Sequence, residues 1–237
     1  TATTGNITDT VALAVTGTSS FTTSASNGTI TLNTSTNALT GAVTLSTTGS
    51  SGNATIDNGT TALSIAASTI GGNLTVTAGD SITDSGVITV SGTASFTTDT
   101  SDKLITLNSQ NAITGQVTFD TTSTGGDVTL DNGTTAISLG TIASGAIGGD
   151  LTLLTDADQT ISNAITLGGS GAELSITVDN ANSLTVQAAL TTNAGAITLS
   201  ADDDVIFTAA GDLTTANGNI TVSADDDSTS DAASGGA

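Results

Sequence analysis

The stretch Ile197-Thr198-Leu199-Ser200-Ala201-Asp202-Asp203-Asp204 is written again, 23 residues on, as Ile220-Thr221-Val222-Ser223-Ala224-Asp225-Asp226-Asp227. Further steps of the same size back from Thr198 land on Ser175, Thr152, Thr129, Thr106 and Thr83, each in the middle of a short strand run, and all but Thr83, which Ile82 and Asp84 flank, have an apolar residue on both sides. Apolar residues two apart with Thr between them describe a strand with one buried and one wet face. A strand that returns at a fixed interval describes a stack of coils, in which every turn meets the same neighbour above and below.

A longer repeat overlies the short one. Gly17-Thr18-Ser19-Ser20-Phe21-Thr22-Thr23 returns 75 residues later as Gly92-Thr93-Ala94-Ser95-Phe96-Thr97-Thr98. Asp57-Asn58-Gly59-Thr60-Thr61-Ala62-Leu63 returns 74 residues later as Asp131-Asn132-Gly133-Thr134-Thr135-Ala136-Ile137. The expected fold is therefore all-β: a parallel β-helix, or β-solenoid, of about 23 residues per coil and roughly ten coils. The 75-residue unit is expected to make about three coils. The solenoid is expected to occupy residues 1–227, as repeats at about 5–79, 80–157 and a diverged 158–227, with a polar tail at 228–237.

The runs between the two ends fit this reading. Ile30-Thr31-Leu32, Leu74-Thr75-Val76, Leu104-Ile105-Thr106-Leu107 and Leu174-Ser175-Ile176-Thr177-Val178 are rich in the β-branched residues that strands favour. Asn58-Gly59, Gly71-Gly72-Asn73, Gly125-Gly126-Asp127, Asn132-Gly133 and Gly148-Gly149-Asp150 separate them as turns. Inward columns of like aliphatics, such as Ile30 with Leu32 and later Ile105 with Leu107, should form the core, with Phe21, Phe96, Phe119 and Phe207 in its wider places. Asn-Gly pairs also suit hairpins, so an antiparallel sandwich or barrel is the alternative. Disorder is opposed by the positive mean hydropathy of +0.21 and the ordered alternation.

Composition excludes several function classes. There are 22 carboxylates against the single cation Lys103, for a net charge of -21. Such a surface offers nothing to displace counterions from nucleic acid and is repelled by anionic lipid. The chain holds no apolar run long enough to span a membrane. With one tryptic site it should resist digestion outside a cell. It opens on Thr1 rather than Met, as expected of a piece cut from a longer chain or of the product of processing.

Catalysis finds no footing. His and Cys are absent, so no nucleophile and base can be paired, and the sugar-stacking aromatics of polysaccharide-cutting solenoids are missing. The expectation is a non-enzyme. The Asp runs are the sharper candidates. With a 23-residue coil, Asp202, Asp203 and Asp204 lie one strand spacing from Asp225, Asp226 and Asp227, close enough to hold calcium with backbone carbonyls and water, or to remain a solvated acidic turn. Thr29/Thr31 and Thr75/Thr77 suggest a flat hydroxyl array of the kind that binds ice, with Ala42, Gln116 and Asp127 expected at comparable positions to interrupt it.

The phrases Ile70-Gly71-Gly72-Asn73-Leu74-Thr75-Val76-Thr77-Ala78-Gly79, Ile147-Gly148-Gly149-Asp150-Leu151-Thr152-Leu153 and Gly195-Ala196-Ile197-Thr198-Leu199-Ser200-Ala201-Asp202 resemble the degenerate repeats of filamentous-haemagglutinin-like giant surface proteins of Gram-negative bacteria. The resemblance implies a right-handed parallel β-helix in a secreted or surface-attached fibre, exported by a two-partner or autotransporter route. The expected role is a stalk segment supporting adhesion or cell-cell contact at the outer surface. Its partners would be neighbouring repeats of the same chain, identical subunits stacked end to end through open sheet edges, or a host or neighbouring-cell surface. A self-assembling filament or sheath subunit and an ice-binding solenoid are the alternatives.

Overall fold

The computed structural model describes residues 1–122 and 125–225. Their regular structure is entirely β, in short strands, and every strand pair is parallel. The antiparallel alternative is thereby excluded, and the chain is a β-solenoid of about nine turns. At ~4.8 Å per coil, those turns make a stack about 43 Å long.

The register follows the 23-residue step. Thr83 pairs with Thr106, Thr106 with Thr129, Thr129 with Thr152, Thr152 with Ser175, Ser175 with Thr198 and Thr198 with Thr221. The coil is not uniform, however. Ala54, Leu74 and Ala94 are paired at steps of 20 residues, and Gln159 meets Leu184 after 25. The corners absorb the difference, so each strand keeps its inward residues inward. One narrowing is visible at the strand Val43–Thr48, whose Val43 pairs with Ile65 and whose Ser46 pairs with Thr69. Two short strands, Leu63–Ile65 and Ser68–Ile70, replace one longer strand there.

The long repeat proves to be more than three coils. Ile7 stacks on Ile30, Ala54 and Leu74 in one column, and the repeat restarts only at Ile82, on the next face of the same coil. Ile82 belongs to a different column, running through Ile105, Val128 and Leu151. The strand Gln159–Ile161, at the start of the diverged stretch, lies in yet another sheet with Leu184–Val186 and Val205–Phe207. What the sequence presented as slack in three coils is one extra face, so successive repeats begin on different sides of the rod.

The core is the set of inward columns. Ile30, Ile82, Ile105, Leu107, Val128, Leu151, Leu174 and Ile197 are all buried, each contributing on the order of 1.5–3 kcal/mol over an exposed position. Phe96 and Phe119 pair across adjacent coils, with rings stacked at 5.9 Å between centroids and 21° between planes. Phe21 is half-buried against the core. Phe207 departs from expectation, being 42 % exposed, because its strand is the last described one in its column and no described coil covers it. Ile220 and Val222 are exposed for the same reason.

Tight stacking at the corners selects glycine. A Cβ at Gly195 would strike the carbonyl oxygen of Ala172 in the coil below, and one at Gly218 would strike that of Gly195. Backbone lies directly on backbone along this corner, which leaves no room for a side chain.

Candidate functional surface

The most repetitive polar feature lies inside the rod. Asn58 is fully buried, accepting the Leu39 N–H at 2.8 Å on Oδ1 and donating from Nδ2 to the carbonyls of Leu39 (3.1 Å) and Ala62 (2.8 Å). Asn132, its partner in the long repeat, accepts from Ile113 at 2.9 Å and donates to the carbonyls of Ile113 (3.0 Å) and Thr135 (2.9 Å). Gln159 repeats the device one coil on, accepting the Ile137 N–H at 2.7 Å and donating to the Ile137 carbonyl at 2.8 Å. These amides satisfy backbone groups at corners where the parallel ladder is interrupted, and where burial removes water as a partner. Read from sequence, Asn58-Gly59 and Asn132-Gly133 were turns only. The signal for more was their recurrence beside Asp57 and Asp131, whose Oδ1 atoms accept the N–H groups of Gly59 and Gly133.

A second recurring unit clamps a corner with a carboxylate. Asp9 accepts the N–H groups of Asn33 and Thr34, at 3.1 and 3.2 Å, and the side-chain amide of Asn37 at 2.7 Å. Asp84 does the same with Asn108, Ser109 and Asn111. Partial burial pushes the Asp9 carboxyl up, but the hydrogen bonds from Asn37, Thr34 and Asn33 outweigh it and hold the group below the usual carboxylate range. A depressed carboxyl contributes its full stability above its unfolded value of about 3.9 and loses it as pH falls through the folded value. Asp9→Asn should therefore lower the melting temperature at neutral pH, and the gap to the wild type should close as the pH is taken below about 4, measured by circular dichroism. A gap that stays constant with pH would remove the charge from the argument.

Two other carboxylates titrate in opposite senses. The Ser81 N–H, followed by the Lys103 ammonium 3.1 Å away, holds Asp80 below its ordinary value. Burial, together with the charges of Asp57 and Asp120, pushes Asp99 up, so Asp99 favours the folded state as it takes up a proton.

The expected calcium residues are dispersed among local duties. Asp202 Oδ2 accepts the Asn180 N–H at 2.7 Å, and Asp203 Oδ2 accepts the Ser183 hydroxyl at 2.9 Å. The Asp204 N–H reaches the Ser183 Oγ at 3.4 Å, while the Asp225 N–H donates to the Asp203 carbonyl at 3.0 Å. Ala201 pairs with Ala224, but the register ends there: the Asp202 N–H donates to the Val178 carbonyl, whereas the Asp225 N–H goes to the carbonyl of Asp203 and not to that of Ala201. Asp226 and Asp227 lie outside the described residues. Among the described residues no three carboxylates converge as a metal site. With Asp202 and Asp203 already holding the loop, the expected result of adding calcium or a chelator is an unchanged melting temperature; a clear rise with calcium would give these residues a ligand role.

Elsewhere Asp127, Asp150 and Glu173 rise along a corner, where Asp127 Oδ1 accepts the Asp150 N–H at 2.9 Å and Asp150 Oδ1 accepts the Glu173 N–H at 2.8 Å. Gly148, Gly149, Gly168, Gly169 and Gly171 beside them leave an open cleft of about 420 Å³. Its walls are backbone and its carboxylates already cap the next coil.

The outward hydroxyls form a longer array than the sequence suggested. Ser64, Thr83, Thr106, Thr129, Thr152, Ser175, Thr198 and Thr221 follow one another in paired register, exposed or half-exposed. Ala42, Gln116 and Asp127, expected to interrupt the array, instead precede the strands Val43–Thr48, Val117–Asp120 and Val128–Asp131 and sit at corners. The adjacent outward column is mixed, passing through Asp131 and Leu154 before Thr177, Ser200 and Ser223.

Residues 1–46 and 51–120 match a family model described as repeats of unknown function (DUF5649). The matched residues contain all the strands of the six-stranded sheet, from Ile7–Thr8 to Val117–Asp120. No curated protein and no solved structure matches the chain significantly.

Proposed function

We propose that this chain is a non-catalytic rod segment in the stalk of a large secreted or cell-surface bacterial fibre, supporting adhesion or cell-cell contact. The observation that carries this reading is the continued stacking of coils. From Leu63 to Ile220 successive strands extend one inward column in parallel register, and length is gained at one strand spacing per turn. A surface of 22 carboxylates and one cation keeps such rods apart side by side. The resemblance of the Gly-Gly-x-Leu-Thr phrases to filamentous surface proteins supplies the cellular setting. Antibody raised against the chain and viewed by immunogold microscopy should label the shafts of surface fibres; label confined to the cell interior, or to fibre tips alone, would overturn the proposal.

The 23-residue register of that column predicts that a coil can be excised. Removal of residues 175–197 joins Leu174 to Thr198 in the register that Ile197 now occupies. The variant should fold, keep its β circular dichroism and be shorter by about 4.8 Å in small-angle scattering. Loss of the β signal would show that coils are not interchangeable.

A second reading rests on the unbroken column from Ser64 to Thr221: a hydroxyl face that orders water and binds ice. Thermal hysteresis in the purified chain is its test, and freezing indistinguishable from that of a charge-matched control protein rejects it.

A further inference from the structure

Four Asn-Gly steps occur in the chain, at Asn27-Gly28, Asn58-Gly59, Asn132-Gly133 and Asn217-Gly218. This dipeptide is chemically labile because glycine leaves its backbone nitrogen unhindered beside the asparagine amide. The nitrogen, having lost its proton, attacks Cγ. A new C–N bond closes a five-membered succinimide, the Cγ–Nδ2 bond breaks and ammonia leaves. Water then opens the ring at either carbonyl, giving aspartate or isoaspartate. No oxidant or reductant is involved.

We infer that Asn217 is a site of spontaneous deamidation in the folded rod, and that the buried amide ladder protects Asn58 and Asn132 from the same reaction. At Asn58 both side-chain ends are held by Leu39 and Ala62, so Cγ is turned into the rod and Nδ2 is fixed in place. The Gly59 N–H, which must be lost for attack, donates to the Asp57 carboxylate at 2.8 Å, and a negative acceptor opposes its deprotonation. Asn132 and Gly133 are held in the same two ways, by Ile113 and Thr135 and by Asp131. Asn217 is exposed, and its side chain makes no hydrogen bond among the described residues. The Gly218 N–H rests only on the neutral Thr215 hydroxyl at 2.9 Å. Asn27 is intermediate: it is exposed, but its Oδ1 accepts the Ser51 N–H and its Gly28 is buried, donating to the Ala25 carbonyl.

The experiment incubates the folded chain in warm alkaline buffer and follows each site by mass spectrometry of Asp-N peptides, with isoaspartate detected separately. Four short synthetic peptides carrying the same steps provide the unprotected rates. Asn217 should convert at close to its peptide rate and Asn27 more slowly. Asn58 and Asn132 should be slower than their peptides by at least about a hundredfold, because reaction must wait for local opening and each factor of ten corresponds to about 1.4 kcal/mol. Conversion of Asn58 or Asn132 at near its peptide rate, or of Asn217 as slowly as those two, overturns the inference. An Asn217→Gln variant, at an exposed side chain, should lose conversion at residue 217 and leave the other three rates unchanged.

Discussion

Ile105→Asp should unfold the middle of the rod. Ile105 is fully buried, stacked between Ile82 below and Val128 above, and no cation lies in the column to pair with a carboxylate. An unpaired charge in such a place costs several kcal/mol, against a total stability of roughly 5–15 kcal/mol for an ordinary domain. In a stack coupled only to nearest neighbours the damage should be greatest in the adjoining coils. Hydrogen exchange should accelerate most strongly between about residues 82 and 130, with a large fall in melting temperature, whereas Ile105→Val should cost only about 1 kcal/mol. An Ile105→Asp chain that melts like the wild type would mean that this column is not the core.

Asn58→Ala should be the most damaging truncation of a polar side chain. It strands the buried N–H and C=O of Leu39 together with the Ala62 carbonyl, and each orphaned group costs about 1–3 kcal/mol. The expected loss is about 3 kcal/mol or more, measured by denaturant unfolding. Asn219→Ala, at an exposed corner whose backbone carbonyl alone receives the Ile197 N–H, should remain within about 0.5 kcal/mol of the wild type. Equal effects for the two substitutions would deny the interior amides their structural role.

The coil was legible because its strongest strands carry the pattern in plain form. Ile-Thr-Leu at 105–107 and 197–199 reads as a half-buried strand in each case, and the 23-residue step that passes through both set the register. The short strands Ser68–Ile70 and Gln159–Ile161 were not legible, because each places a polar residue inward, Ser68 and Gln159, where the alternation demands an apolar one. Ser68 is tolerated because its hydroxyl donates to the Ala66 carbonyl and accepts the Leu45 N–H. The amide ladder escaped for a related reason. Asn before Gly signals a turn whether its side chain points to water or into the rod, and only the neighbouring coil, which supplies Leu39 and Ile113, decides which. The duties of the Asp runs were not legible either: spacing carries no information about which groups a carboxylate accepts, such as the Asn180 N–H at Asp202 and the Ser183 hydroxyl at Asp203.

The extra face in the long repeat governs how the rod meets its surroundings. Had the unit closed after whole coils, every copy of a surface motif would point the same way, and the rod would have a front and a blind back. Instead the corner clamped by Asp9 and the corner clamped by Asp84 open on different sides, as on a spiral staircase whose landings turn with each flight. Few repeats are then needed to offer one motif to several compass directions, so a rod of this design needs no particular rotation about its own axis to present it.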